Sequence, residues 1–295
     1  MFSKMDSAFP ESNEVHFFRN NNRKLSKRNL FMKLELIHHQ PKKVKFQHPL
    51  LFLHGAYSGA WCWEEHFLEY FSSIGFECIA LSLRGHGGSD SEQPLDQLSL
   101  KDYQDDLYSV IDTCSTSPVA IGHSMGGYLL QQIQHSKNIH ASVLMASTPP
   151  SGLLPIFSNL FVQDPIRFQQ WNWGNWMNAF QNVGTFSDFE NRMLSGLMGE
   201  APDKDYRHRY HQESKKALWE MCWAVSLTPS KYIKPMLVMG GSEDQLIPES
   251  FVRQTALHYG ADYQLIQGAG HSMMLGPEWE KSAEVLEQWL TGNVS

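Results

Sequence analysis

The stretch Gly-His-Ser-Met-Gly at residues 122–126 lies between an apolar run at residues 119–121 and a segment with the apolar spacing of a helix. A strand that turns directly into a helix strains the backbone at the turn, here at Ser124. Glycines two positions to either side, Gly122 and Gly126, remove the side chains that would clash there. The pattern therefore predicts an exposed Ser124 hydroxyl at a helix N-terminus, where the N–H of Met125 faces negative charge developing on a bound carbonyl.

Short apolar runs alternate with longer helical stretches along most of the chain, which is typical of a parallel sheet with crossover helices. This order predicts an α/β fold with a mostly parallel sheet and helices on both faces. The predicted strands are residues 31–37, 50–53, 78–83, 119–121, 142–145, 236–239 and 263–266. The predicted helices are residues 61–73, 99–113, 125–134, 248–258 and 278–290.

One aromatic and methionine-rich stretch, residues 149–229, has no strand pattern, yet sheet elements flank it on both sides. We therefore predict a helical lid inserted into a core of residues 30–148 and 230–295, after a polar, partly disordered arm at residues 1–29. Trp219 and Trp223, spaced i and i+4, are expected to pack this lid onto the core. Other apolar side chains of the stretch are candidates for lining a substrate pocket: Trp171, Trp173, Trp176 and Met177.

Composition excludes several classes of protein. The chain of 295 residues has 24 basic and 31 acidic side chains and a net charge of -7, the wrong sign for binding a phosphate backbone. No apolar run approaches the roughly 18 residues of a membrane span, so no integral membrane segment is predicted. The arm is basic but lacks the apolar core of a secretory signal, so we expect a cytoplasmic protein. Four cysteines without a C-x-x-C pair predict reduced, mostly buried thiols and no metal site.

A serine nucleophile needs a base, and the order of the chain favours His271. It follows the last predicted strand, so it falls at the same carboxyl edge of a parallel sheet as the Ser124 turn. A carboxylate should hold the imidazole tautomer, and Asp244 follows the penultimate strand. The adjacent Glu243 is the competing candidate, although the proline and helix after Asp244 favour the latter.

A second N–H donor for a developing oxyanion is predicted in the loop His-Gly-Ala-Tyr-Ser-Gly at residues 54–59, which follows an apolar strand. Small residues there allow the backbone to approach a ligand, and Ala56 would supply the N–H beside that of Met125. The loop has neither a G-x-G-x-x-G pattern nor a Walker lysine, which argues against a nucleotide site. No cofactor is predicted.

Taken in order, several motifs resemble those of the α/β-hydrolase superfamily over roughly residues 30–292. They are His-Gly at residues 54–55, Arg-Gly-His-Gly-Gly-Ser at 84–89, Gly-His-Ser-Met-Gly-Gly at 122–127, the Asp244 loop and Gly-His at 270–271. The first and third motifs resemble those of monoacylglycerol lipases. Residues 59–63 and 271–275 resemble the plant methylesterase and hydroxynitrile lyase group.

Three positions separate the chain from non-esterase relatives. Hydroxynitrile lyases of that group carry a threonine and a lysine where this chain has Gly55 and Ser272. Haloalkane dehalogenases and epoxide hydrolases carry an aspartate where this chain has Ser124. The resemblance therefore favours ester hydrolysis.

The residues and the resemblance together predict a serine hydrolase that cleaves carboxylic esters of apolar acyl groups through an acyl-enzyme. Ser124, His271 and Asp244 would be catalytic, Ala56 and Met125 would form the oxyanion hole, and a small-molecule ester would be the substrate. Two alternatives stay open: a small-molecule receptor on the same fold, and a carbon–carbon bond hydrolase using the same three residues.

Overall fold

An eight-stranded sheet runs through the part of the chain that the computed structural model describes, which is residues 14–19, 33–134, 138–163, 206–223 and 234–294. The strands are Glu14–Arg19 (β1), Lys33–His39 (β2), Leu50–Leu53 (β3), Cys78–Leu81 (β4), Val119–His123 (β5), Ala141–Met145 (β6), Met236–Gly241 (β7) and Asp262–Ile266 (β8). The strand order is β1-β2-β4-β3-β5-β6-β7-β8; the β1/β2 and β2/β4 pairs are antiparallel and every other neighbouring pair is parallel. The predicted α/β class is confirmed.

Helices cover both faces of the sheet, as a mostly parallel sheet requires. Alternate side chains of β3 point to opposite faces of the sheet. Leu51 and Leu53 belong to the apolar cluster on one face, and Leu50 and Phe52 belong to the cluster on the other. The helices are Trp61–Glu64 (α1), Phe67–Ile74 (α2), Leu100–Ile111 (α3), Met125–Ile133 (α4), Leu154–Gln163 (α5), Lys215–Cys222 (α6), Glu249–Tyr259 (α7) and Trp279–Asn293 (α8). Helices α3, α4 and α7 contribute to the first cluster and α1, α2 and α8 to the second.

Strand β1 was not predicted from the sequence. It lies within the polar stretch that was expected to be a partly disordered arm, and it pairs antiparallel with β2 over its full length. Only three of its six residues, Glu-Val-His-Phe-Phe-Arg, are apolar, and long polar segments flank it, so the sequence pattern did not indicate a strand.

Two helices of the predicted insertion are described, α5 and α6. The N–H of Leu153, just before α5, donates to the carbonyl of Met221 near the end of α6 (3.1 Å). The expectation that Trp219 and Trp223 pack onto the core is wrong. Their rings contact each other with centroids 5.2 Å apart, but the residues are 42% and 54% exposed. Smaller residues form the buried side of α6 instead: Ala217, Leu218, Met221 and Cys222.

Three of the four cysteines, Cys62, Cys78 and Cys222, are buried, as the sequence predicted, and all four are free thiols in this structure. Burial raises the pKa of Cys62 to about 12, so this thiol is unreactive at neutral pH. Among the described helices, none combines the length and apolar character needed to cross a bilayer.

Candidate active site

Ser124 occupies a strained turn between β5 and α4. Its φ and ψ of 52° and -115° lie outside the regions that side-chain-bearing residues normally adopt. A Cβ atom on Gly122 would lie 2.6 Å from the Gly126 carbonyl, and one on Gly126 would lie 2.5 Å from the His54 carbonyl oxygen. The N–H of Ser124 donates to the Met145 carbonyl (3.0 Å), which ties the turn to β6. The strand–serine–helix arrangement is therefore as the sequence pattern predicted, with Ser124 partly exposed.

His271 and Asp244 form a buried hydrogen-bonded pair at the ends of neighbouring loops. The His271 Nδ1 atom lies 2.8 Å from Asp244 Oδ2, and both side chains are fully buried. The other oxygen, Oδ1, accepts from the N–H groups of Leu246 (2.8 Å) and Ile247 (2.9 Å). Since a carboxylate only accepts, the proton of a neutral His271 lies on Nδ1 and the lone pair on Nε2. That Nε2 is buried and has no hydrogen-bond partner among the described residues.

The competing carboxylate, Glu243, is exposed and accepts from the Ser242 hydroxyl (3.3 Å). Its main-chain N–H donates to the Ala269 carbonyl (2.9 Å), and the N–H of Ser242 donates to the Ile266 carbonyl (3.0 Å). These bonds join the loop after β7 to the loop after β8. The geometry favours Asp244, because Asp244 and not Glu243 contacts His271.

His123 links the serine turn to the His271 loop. Its Nε2 donates to the main-chain carbonyl of His271 (3.0 Å), and the two rings lie 4.7 Å apart between centroids. Burial, helped by the neighbouring His271, lowers the pKa of His123 well below its ordinary value, so it stays neutral. No hydrogen bond joins Ser124 Oγ to His271 Nε2 in the described structure. Such bonds are often long without substrate and tighten in the complex.

The loop after β3 lies directly against Ser124. A Cβ atom on Gly55 would lie 3.0 Å from the Ser124 Cβ, which places the next residue, Ala56, beside the serine. Within the described parts of the chain, the N–H groups of Ala56 and Met125 donate to no acceptor. The N–H of Met125 also lies at the first position of α4, where the helix dipole favours negative charge.

His54 stabilises this loop through hydrogen bonds at both of its ring nitrogens. Its Nδ1–H donates to the Gly55 carbonyl (2.7 Å) and its Nε2 accepts from the N–H of Leu83 (3.0 Å). Burial, with a contribution from the nearby His86, lowers the pKa of His54 to about 3. A neutral imidazole with one fixed tautomer follows, and it fastens the loop to the end of β4.

Other features fall outside this arrangement. Among the described residues, no group of histidine, cysteine or carboxylate side chains could hold a metal ion. Four predicted pocket residues lie outside the described residues: Trp171, Trp173, Trp176 and Met177. A cleft of about 410 Å³ borders the His271 loop but includes neither Ser124 nor Ala56. We assign no substrate to it.

Sequence reasoning missed one buried carboxylate that contacts the Ala56 loop, Glu213. It accepts from the main-chain N–H of Tyr57 (3.2 Å) and lies 3.0 Å from His86 Nε2. His86 belongs to the Arg-Gly-His-Gly-Gly-Ser motif, but Glu213 lies in a polar stretch with no motif of its own. Only the fold brings residues 57, 86 and 213 together.

Residues 50–285 match the model of the alpha/beta hydrolase family, and the chain belongs to that family. Membership supports a hydrolase activity. Among curated proteins, the chain is similar to human protein ABHD8 (27% identity over 115 residues, 38% of this chain and 26% of that protein). It is also similar to norfluorocurarine synthase 2 from a Strychnos species (30% identity over 151 residues, 50% of this chain and 53% of that protein).

Among solved structures, an esterase from Exiguobacterium antarcticum superposes with a TM-score of 0.64 at 17% identity, covering 88% of this chain and 96% of that one. At this identity the likeness shows the fold alone. The stretches matched in ABHD8 and norfluorocurarine synthase 2 span about a quarter and about half of those proteins.

Proposed function

We propose that the protein is a serine hydrolase that cleaves carboxylic esters of apolar acyl groups through an acyl-enzyme. The observation that carries this proposal is the His271–Asp244 pair, which leaves the lone pair of His271 Nε2 unused beside the strained Ser124 turn. A nucleophile, a base and a group that orients the base are the parts that acyl transfer requires.

In the first half of the reaction, Ser124 Oγ attacks the ester carbonyl carbon while its proton passes to His271 Nε2. The N–H groups of Ala56 and Met125 stabilise the negative charge on the carbonyl oxygen. The intermediate then collapses, the bond to the alcohol breaks, and His271 gives the proton to the departing oxygen. The acyl group remains on Ser124.

In the second half, water replaces the alcohol. His271 Nε2 takes a proton from the water as it attacks the acyl carbon, and returns that proton to Ser124 Oγ when the acid leaves. Asp244 stays ionised throughout and stabilises the positive imidazolium at Nδ1. No cofactor enters these steps.

The preference for apolar acyl groups is supported by composition. The predicted insertion carries five of the nine tryptophans, and aromatic side chains replace charged ones at residues 171–176. Pockets for small molecules are lined mainly by such side chains.

Steady-state hydrolysis of p-nitrophenyl butyrate by Ser124→Ala tests the proposal. The expected result is a fall in kcat of at least about a thousandfold, because the nucleophile is lost while the fold remains. Ser73→Ala, an exposed serine on α2, is the matched control and should keep the parent rate. Full activity in Ser124→Ala would overturn the proposal. Negligible turnover by the parent, with stabilisation by a small ligand, would indicate a receptor instead.

A further inference from the structure

The carboxylate of Glu213 is fully buried and accepts four hydrogen bonds. One oxygen, Oε2, accepts from the Tyr57 N–H (3.2 Å) and from His86 Nε2 (3.0 Å). The other, Oε1, accepts from the Tyr103 hydroxyl (2.7 Å) and from the Ser214 N–H (2.7 Å). Glu213 thus joins the loop after β3, the loop after β4 and helix α3 to the start of α6.

The pattern of hydrogen bonds makes the Glu213–His86 contact an ion pair. His86 Nδ1 faces the carbonyl of Arg84 (3.1 Å), which only accepts, so Nδ1 carries a proton. Nε2 faces a carboxylate whose other contacts are all donors, so Nε2 is protonated as well. Burial alone would lower the pKa of His86, but the charge and hydrogen bond of Glu213 raise it, and His86 in turn holds the pKa of Glu213 below its ordinary value.

The residue that Glu213 contacts in the Ala56 loop is itself strained. Tyr57 has a φ of 66°, which is costly for a residue with a bulky side chain. Both of its main-chain groups are held by one segment, because Glu213 accepts from its N–H and the N–H of His211 donates to its carbonyl (2.9 Å). Strained conformations of this kind persist only where the surroundings fix them.

We propose that residues 211–213, anchored by Glu213, are a positioning element that holds Tyr57 in this conformation and so keeps the Ala56 N–H aimed at the substrate carbonyl oxygen. This inference rests on the proposed function. Tyr57 directly follows Ala56, so relaxation of Tyr57 would rotate the turn that presents the donor. Glu213 touches no reacting atom; it acts through the peptide unit between Ala56 and Tyr57.

The test compares Glu213→Gln with Tyr103→Phe, in the full chain and with p-nitrophenyl butyrate. Glutamine removes the negative charge. Its NH₂ group, which only donates, then faces two of the four groups that donate to the Glu213 carboxylate. Tyr103→Phe also removes a hydrogen bond from Glu213, but on the oxygen that does not contact the loop, so it is the matched control. We expect Glu213→Gln to lower kcat by about 10- to 100-fold with KM nearly unchanged. This decrease in kcat is smaller than, or comparable to, the decrease caused by removing an oxyanion donor. Tyr103→Phe should keep kcat close to that of the parent.

A second readout separates positioning from general damage. A trifluoromethyl ketone adds reversibly to the nucleophilic serine as an anionic hemiketal, so its affinity reports the oxyanion hole. In Glu213→Gln its inhibition constant should rise by the same factor by which kcat/KM falls. Equal kcat in Glu213→Gln and parent, an equal loss in the two variants, or an unchanged inhibition constant would overturn the positioning role while leaving the esterase proposal intact.

If Glu213→Gln does not fold, the pair His211→Pro and His211→Ala takes its place. Proline removes the side chain and also the N–H that donates to Tyr57, whereas alanine keeps that N–H. Both variants lose the hydrogen bond that His211 Nε2 accepts from the Gly87 N–H (3.4 Å), so the comparison between them isolates the main-chain donor. We expect kcat to fall in the proline variant relative to the alanine variant, and equal kcat values would contradict the proposal. A parent without Ser124-dependent turnover would instead overturn the proposed function, and the positioning role with it.

Discussion

At the scale of single residues, the site depends on which protons each histidine carries. The partners of His271, His54 and His123 each fix one tautomer: a carboxylate for the first and main-chain carbonyls for the other two. His54 uses both ring nitrogens in hydrogen bonds, whereas His271 Nε2 has no partner among the described residues. The hydrogen bond to Asp244 therefore supports the candidate base that chain order had indicated, His271.

Replacing Asp244 by asparagine should lower kcat on the order of a thousandfold or more, because the amide nitrogen no longer specifies the Nδ1–H tautomer or stabilises the imidazolium. Glu243→Gln is the control at the neighbouring position, and its kcat should be unchanged since its side chain faces solvent. Similar losses in both variants would show that the loop as a whole, and not the Asp244 contact, matters.

The depressed pKa of His54 predicts a loss of stability in acid. Its ordinary pKa is 6.5 and its folded value is about 3, so below pH 6.5 the unfolded chain binds a proton that the folded chain does not. Because of this fully buried group, lowering the pH from 7 to 5 should reduce the free energy of unfolding by about 2 kcal/mol. The measurement is urea unfolding of the parent and of His54→Gln across that range.

The parent should lose more stability than His54→Gln on acidification, although the variant is less stable overall. His48→Gln, at a half-buried histidine bonded to the Ser117 carbonyl, serves as the control and should follow the parent. Parallel curves for parent and His54→Gln would contradict the assignment of a neutral, buried His54.

At the scale of elements, local pattern and long-range contact differ in what a sequence can predict. The turn from β5 into α4 was predictable because its glycines, apolar strand and helix are contiguous in the chain. Strand β1 was missed because its pairing with β2 outweighs its polar surroundings. The Glu213–Tyr57 contact could not be predicted for another reason. It joins residues 156 positions apart through one hydrogen bond, and such a contact produces no periodic pattern in the sequence.

Helix α3 offers a stability test away from the site. It begins with a capping box, in which the Ser99 hydroxyl accepts from the Asp102 N–H (3.2 Å) and Asp102 accepts from the Ser99 N–H (2.9 Å). Ser99→Ala should lower the unfolding free energy by about 1 kcal/mol, as at other N-caps, with kcat unchanged. Thermal or urea unfolding measures the first and ester hydrolysis the second; a loss of activity without a loss of stability would contradict this description.

At the scale of the whole molecule, we propose that the sheet edge supplies the chemistry and the predicted insertion supplies specificity. Loops after β3, β5, β7 and β8 carry Ala56, Ser124, Asp244 and His271 at the carboxyl ends of parallel strands, where ligands of such sheets bind. The Glu213 segment connects the insertion to this edge. On this proposal, residues distant in sequence from the serine determine substrate choice.

The aromatic composition of residues 171–176 predicts a preference for longer acyl chains. Each buried methylene adds up to about 0.8 kcal/mol, so kcat/KM should rise several-fold per methylene from acetate to octanoate until the pocket is full. Trp171→Ala, Trp173→Ala or Trp176→Ala should flatten this profile, whereas Trp219→Ala, an exposed ring on α6, should not. A profile highest at acetate and unchanged in all variants would show that these rings are structural.

The proposed mechanism requires that Ser124 carries the acyl group during turnover. Mass spectrometry of the protein quenched in acid during turnover of p-nitrophenyl butyrate, followed by peptide mapping, detects this intermediate. We expect a mass increase of one butyryl group on the peptide containing Ser124, with none in Ser124→Ala. Turnover without any adduct at Ser124, or an adduct of equal yield on Ser124→Ala, would contradict it.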